Sequence, residues 1–303
     1  MMHGLWPAAA PILLASLGGL LTELGGILGV FIEGFMIFGS FFGWIIAGWT
    51  GSVFLGSTIT ALAAGMAGCL LARFVHKTGA NPFIAGLALN LAAAGITESL
   101  STVWFGTKGV LRNPELRIPG PVSVPVAEKI PLLGNLVSGQ LPFVYVAWIC
   151  MIVLALVIGK THIGLRLKAS GLSPEAASDQ GIRPERYREY SWGAAAFLAA
   201  LAGAALTFRV GAYSPGGVAG RGWIALAAVY LGFRNIWGTA AAAVLFALAE
   251  RIGFITQGLN AVPATVMLGV PSALALVLFS FSQGMGYRFR RFKKTSGQAK
   301  PPG

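Results

Sequence analysis

ILLASLGGLLTELGGILGVFIEGFMIFGSFFGWIIAGWTGSVFLGSTITALAAGMAGCLLARF, residues Ile12 to Phe74, contains only Glu23 and Glu33 as charged side chains before Arg73. About 20 consecutive apolar residues cross the hydrocarbon core of a bilayer. This stretch is therefore long enough for three crossings, and a water-soluble fold is excluded for it. The rest of the chain agrees. Apolar residues make up 55% of the 303 residues, charged residues 11%, and mean hydropathy is +0.73. A soluble domain carries about 25% charged residues.

Working outward, the apolar runs predict an all-α, polytopic transmembrane helix bundle of about nine crossings. They lie at roughly 8–22, 26–48, 53–73, 83–104, 142–159, 191–209, 219–233, 238–256 and 264–284. No stretch alternates as a strand would. Several runs are short, which points to re-entrant or broken helices. The first 11 residues lack Lys and Arg, so the first run reads as a retained helix and not a signal peptide. Gly25/Gly29 and Gly39/Gly43 have the small-xxx-small spacing of closely packed membrane helices.

Charge sets the orientation. With the N-terminus outside and the C-terminus cytoplasmic, fifteen Lys and Arg fall inside and seven outside, as the positive-inside rule requires. The net charge of +12 is thus a topology signal, spread over loops and tail, and not a nucleic-acid surface. The membrane domain spans 1–285. It includes an external loop, 105–141, in which Pro114, Pro119, Pro121, Pro125 and Pro131 forbid a continuous helix, and a cytoplasmic loop, 160–190. A basic cytoplasmic tail, 286–303, follows, its end polar and of disordered composition. A faint internal echo links Phe31–Gly68 to Ala219–Glu250, the mark of a duplicated transporter half.

The cytoplasmic loop is the most informative segment. In Gly164-Leu-Arg-Leu-Lys-Ala-Ser-Gly-Leu-Ser-Pro-Glu-Ala-Ala-Ser-Asp-Gln-Gly-Ile-Arg183, Ser173 can cap a helix, Pro174 suits its first position, and Glu175 complements its positive end. Gly181 is placed to stop it. The spacing predicts a two-turn helix flanked by Arg166, Lys168, Arg183, Arg186 and Arg188. Physics alone leaves two uses open: a rod that transmits force from a soluble motor, or an anchor on anionic lipid headgroups.

Four carboxylates, Glu23, Glu33, Glu98 and Glu250, lie in or at the ends of apolar runs, where such groups are costly and are paired or functional. Glu33, beside Gly34, marks a potential helix break on a solute path; its alternative is to lock helix packing. Asn90 offers donors and an acceptor one turn inside a helix, for a pore or an interhelical hydrogen bond, and Glu98 reads as facing a pore or a neighbouring helix. These three form the candidate solute path. Asn81, before Pro82, reads as a cap, and Glu250, beside Arg251, as an interfacial residue. Trp104, Phe105, Phe208, Tyr213 and Trp223 read mainly as an interfacial aromatic belt. Cys69 and Cys150 read as packing residues. No phosphate-binding loop, zinc-protease motif, nucleophile elbow or Cys/His cluster is present, which argues against catalysis in this chain.

The 164–183 segment resembles the coupling region of bacterial ABC-importer permeases of the branched-chain amino acid and simple-sugar superfamily. Glu33-Gly-Phe-Met-Ile-Phe-Gly39 resembles that family's early turn, with Gly29 standing where the family usually has Asn. Gly79-Ala-Asn-Pro-Phe-Ile-Ala-Gly-Leu-Ala-Leu-Asn90 resembles the opening of a later helix, and Ala219-Gly-Arg-Gly-Trp-Ile-Ala-Leu-Ala-Ala228, followed by Trp237-Gly-Thr, resembles its Gly-Arg-Gly signature. The likeness covers about residues 20–255 and is greatest to the smaller permease of nucleoside importers.

The resemblance implies a multi-pass protein of the bacterial inner membrane that translocates a nucleoside-like solute, a purine nucleoside or riboflavin. It implies a paralogous second permease, a cytoplasmic ABC ATPase and an extracytoplasmic solute-binding protein as partners, with membrane lipid around them. No cofactor is expected in this chain, ATP-Mg belonging to the ATPase. Coupling would fall to Ser173, Pro174, Glu175, Ala176, Asp179, Gly181 and Ile182. A permease for a simple sugar is one alternative. An autonomous proton-coupled transporter is another, and an intramembrane enzyme lacks a recognisable nucleophile and base.

Overall fold

The computed structural model describes residues 4–123 and 138–257. The last expected crossing, 264–284, and the tail, 286–303, lie outside them. The described residues form ten helices and no strand, only isolated bridges at Leu111–Tyr213 and Val122–Gln140. They are α1 (Leu5–Leu24), α2 (Ile32–Thr50), α3 (Val53–Thr78), α4 (Pro82–Phe105), α5 (Pro142–Lys160), α6 (His162–Leu172), α7 (Pro174–Asp179), α8 (Pro184–Val210), α9 (Arg221–Leu231) and α10 (Ile236–Gln257). Seven of these are long and apolar enough to cross a membrane: α1 to α5, α8 and α10.

The expected crossing at 219–233 is different. Its helix, α9, has 11 residues, a length of about 16 Å against a hydrocarbon core of about 30 Å. It cannot span alone. The run reads as a crossing because its flanks, such as Val218 and Phe233, are apolar too, although both lie in turns. The second crossing also starts later than its apolar run, at Ile32, because Gly25 and Gly26 end α1 and a non-helical link follows.

The core is built on α8, which packs against α1, α2 and α3. Its small residues allow backbone-level approach. A methyl placed on Gly39 of α2 would run into the Ala200 carbonyl of α8, and Gly43 lies over Ala204. Gly203 returns the contact against Met36, and Gly18 of α1 lies on Ala195. The Gly39/Gly43 pair is thus a helix-packing stripe, as its spacing predicts. Gly25/Gly29 is not: Gly25 caps α1, and Gly29 lies in the link, where a Cβ would meet the Thr22 side chain.

A second apolar cluster joins Phe41, Trp44, Leu111, Phe208 and Tyr213. Phe208 and Tyr213 are buried in it and therefore are not part of a lipid-facing belt; Trp104, Phe105 and Trp223 are exposed. The burial of Phe208 and Tyr213 follows from the Leu111–Tyr213 backbone pairing, which folds the segment after α4 back onto the helix ends.

Elsewhere the outer surface is apolar. Phe54, Leu62, Leu70 and Phe74 on α3, Leu91 and Val103 on α4, and Ile149 and Ile152 on α5 all face outward. Exposed patches of that extent are a liability in water and match a lipid solvent. The two halves of the sequence echo share a device. Gly56 at the start of α3 lies on the Ala47 backbone of α2, and Gly238 at the start of α10 lies on Gly232 at the end of α9.

Candidate functional site

Two interruptions meet inside this bundle. One is the link 25–31 between α1 and α2, and the other is the turn 211–220 before α9. Each frees backbone N–H and C=O groups that water cannot satisfy at membrane depth. The side chains of Glu33, Asn90 and Thr22 take them up.

Glu33 stands in the first turn of α2. Its Oε1 accepts from the Gly220 N–H at 2.9 Å and its Oε2 from the Gly222 N–H at 2.6 Å. It therefore caps α9 from another helix, a carboxylate at the positive end of a half-membrane helix. The residues beneath it are constrained accordingly. Gly220 and its neighbour Ala219 both have positive φ, +78° and +49°, the latter costing about 1–2 kcal/mol for a residue with a Cβ. A Cβ on Gly222 would strike Glu33 itself.

Asn90, buried on α4, uses both ends of its amide. Its Oδ1 accepts from the Gly34 N–H at 2.7 Å, and its Nδ2 donates to the Val30 carbonyl at 2.8 Å. Thr22 Oγ1 donates to the Gly19 carbonyl and accepts from the Gly29 N–H at 3.1 Å. The start of α2 is thereby tied to α4 on one side and to α1 on the other.

The remaining attachments of α9 are also ionic. Arg221 donates to the Gly217 and Val218 carbonyls and pairs with Glu250 at 2.7 Å, both side chains nearly buried. At the far end, Glu23 accepts from the Tyr230 hydroxyl at 2.9 Å and pairs with Arg234 at 2.8 Å. There Phe233 and Arg234 take positive φ, +55° and +56°. Both ends of α9 are strained, and each is held by a glutamate from the α1–α2 segment. The sequence does not reveal Arg221, Tyr230 or Arg234 as partners. The one signal for them is that three intramembrane carboxylates must be neutralised by something. Glu250 pairs with Arg221, with no ion pair to the adjacent Arg251.

Glu98 does not join this constellation. It lies eight residues beyond Asn90 on α4, about 12 Å along the axis, half exposed beside Lys108 at 3.3 Å. A surface recess bounded by Gly95, Ser99, Thr102 and Val103 opens there. Glu33 and Asn90 thus meet through Gly34, whereas Glu98 faces a separate opening. Asn81 caps α4, accepting from Phe83 and Ile84.

The 160–190 segment forms two short helices and not one, and from Pro184 it already belongs to α8. Residues 174–179 form the predicted short helix, with Ser173 Oγ accepting from the Ala176 N–H at 3.4 Å. Gly181, at φ +75°, ends it, so that the Ile182 N–H reaches the Ala177 carbonyl at 3.0 Å. Ser173, Glu175, Ala176, Asp179 and Gly181 are exposed, Pro174 and Ile182 are half-buried, and Ala177 is buried. Leu172, just before the cap, is an apolar side chain that is 86% exposed, a feature that the sequence does not single out. Residues 162–172 form the preceding helix, α6, and its Gly171 abuts Leu24 and Gly26. Arg188 donates to the Gly25 carbonyl at 3.3 Å. The end of α6 and the start of α8 are therefore seated against the same link that leads into α2 and Glu33.

Comparison with known proteins places this geometry. The family model described as "Branched-chain amino acid transport system / permease component" matches residues 2–280. The nucleoside ABC transporter permease protein NupC of Lactococcus lactis is 28% identical, covering 91% of this chain and 90% of its own. The guanosine ABC transporter permease protein NupQ of Bacillus subtilis is 27% identical, covering 89% and 87%. The putative glucose ABC transporter permease protein TsgC13 of Haloferax volcanii is 27% identical, covering 90% and 83%. No solved structure gives a significant match.

Proposed function

Because this chain belongs to the family of branched-chain amino acid transport system permease components, an ABC transporter permease of the nucleoside and sugar type, we propose that the solute it passes is a purine nucleoside. The observation that carries this reading is the near full-length similarity to permeases described for nucleosides and for guanosine. The similarity to a putative glucose permease supports a simple sugar as the second reading. Riboflavin has only the original sequence resemblance behind it.

In this reading the chain pairs with a second permease in the bacterial inner membrane, N-terminus outside and C-terminus inside. A separate ATPase hydrolyses ATP-Mg, and an external binding protein delivers solute. Ser173, Pro174, Glu175, Ala176, Asp179, Gly181 and Ile182 form the docking knob for the ATPase, with Leu172 at its edge. Movement of that knob reaches the 25–31 link through Gly171 and Gly26, and from there Glu33 and α9. Glu33 and Asn90 set the position of the half-helix on the solute path, and Glu98 lines its outer approach.

An autonomous proton-coupled carrier is less well supported. Glu23, Glu33 and Glu250 are held by Arg234, by two backbone amides and by Arg221, a poor arrangement for a proton relay. Proteoliposomes carrying both permeases with the ATPase and the binding protein distinguish the readings. Labelled guanosine should enter only with ATP enclosed in the lumen, where the ATPase must face, and the binding protein outside, and a protonophore should leave the rate unchanged. Glucose uptake in its place would move the assignment to sugars. Uptake without the ATPase, abolished by a protonophore, would overturn the reading.

A further inference from the structure

A groove of about 620 Å³ runs between α2, α3 and α4, walled by Phe35, Phe38, Phe42, Leu70, Phe74 and Leu89. The solute-path reading makes no use of it. Its polar wall residue is Thr60, whose hydroxyl already donates to the Gly56 carbonyl at 2.8 Å. A solute rich in hydroxyls would find at most one acceptor there, the Thr60 oxygen, and no donor, whereas a hydrocarbon chain would lose nothing.

The groove has a direction. On α3 its wall follows Thr60, Ala64, Ala67, Leu71 and Phe74, one helical stripe of i, i+3 and i+4 steps about 21 Å long. That is the reach of one long acyl chain. The next position on the stripe is Lys77, exposed and, among the described residues, without an ion-pair partner. Arg73 flanks it and is held by Glu189 at 2.8 Å. An apolar trough ending in a free ammonium has the two-part chemistry of an anionic phospholipid.

We propose that this groove is a specific phospholipid site, one acyl chain lying along the phenylalanines and the headgroup phosphate resting on Lys77. The proposal rests on the reading above only in taking α2, α3 and α4 as membrane-spanning, and is independent of the solute. A lysine near an anionic headgroup contributes roughly five-fold in affinity.

The test is native mass spectrometry of the purified full chain offered dioleoylphosphatidylglycerol or dioleoylphosphatidylcholine, with thermal unfolding in parallel. Wild type should retain phosphatidylglycerol roughly five-fold better. Lys77→Gln should erase that preference and keep residual binding of both lipids. Ala67→Trp, which fills the trough, should lower retention of both, while Leu91→Trp, on an exposed face of α4 outside the groove, should change neither. A preference that survives Lys77→Gln, or retention unaffected by Ala67→Trp, would overturn the site. Where Ala67→Trp does not fold, the exposed Lys77→Gln decides alone. Photocross-linking to the second permease in membranes, from a benzophenone attached at Ala67→Cys in a chain with Cys69 and Cys150 replaced, would also overturn it, giving the groove to a protein partner. Neither result bears on guanosine uptake, so the two readings fail separately.

Discussion

Glu33 and Glu98 are two glutamates on adjacent helices of one membrane domain, and they are opposite in kind. Each oxygen of Glu33 accepts from a backbone amide 187 or 189 residues away. Glu98 is 53% exposed and meets the long, mobile end of Lys108. Desolvation accounts for the contrast. A carboxylate taken out of water must find fixed donors, and the cheapest fixed donors in a membrane are the free N–H groups of an interrupted helix. A carboxylate that keeps water needs none. The interior glutamate is thus tied to architecture first, and any role toward solute acts through the helix it caps, whereas the outer one is free to change partner.

Substitutions can break or sharpen that contrast. The largest effect is expected for Glu33→Ala, which leaves two amides without acceptors at about 1–3 kcal/mol each. Thermal unfolding in detergent should shift markedly and uptake should be lost; a melting curve like wild type would show that Glu33 does not hold α9. Glu33→Gln, keeping one acceptor oxygen, should fall between. Asn90→Leu removes the acceptor for Gly34 and the donor to Val30, and should cost about 1–3 kcal/mol for each, less than Glu33→Ala because the lost partner is neutral. Equal stability of Asn90→Leu and wild type would mean that the start of α2 is held by packing alone.

Ala176→Arg separates stability from function at the proposed ATPase-docking helix. The residue is exposed, so the fold should change by no more than about 0.5 kcal/mol, yet the chain should no longer copurify with its ATPase or stimulate hydrolysis. Retention of both would hand α7 to the lipid surface. The smallest effect on stability belongs to Glu98→Gln, since an exposed pair contributes about 0–1 kcal/mol. Guanosine uptake should fall with the fold intact if Glu98 lines the approach, and unchanged uptake would remove it from the path.

The sequence makes these distinctions only in part. Seven crossings are legible because an apolar run of membrane length is a property of composition, and Ser173, Pro174 and Asn81 are legible because capping is local. The shortness of α9 is not, because Val218 and Phe233 are as apolar in a turn as in a helix, and hydropathy carries no record of where backbone hydrogen bonds stop. Nor is the difference between Glu33 and Glu98 legible: the donors that define Glu33 belong to Gly220 and Gly222, glycines whose spacing signals a turn but not its partner. Phe208 and Tyr213 look like belt residues until the Leu111–Tyr213 pairing folds the loop over them.

The contact between Gly26 and Gly171 has a mechanical meaning of its own. A methyl built on either would lie within 3 Å of the other's backbone, so the end of α6 and the 25–31 link touch bone to bone, with no rotamer between them to absorb a displacement. Engineers call such a joint free of backlash: input and output reverse together, without a dead zone. If the proposed coupling runs through this contact, a side chain at Gly171 would not loosen the joint but preload it, biasing it toward one end of its travel.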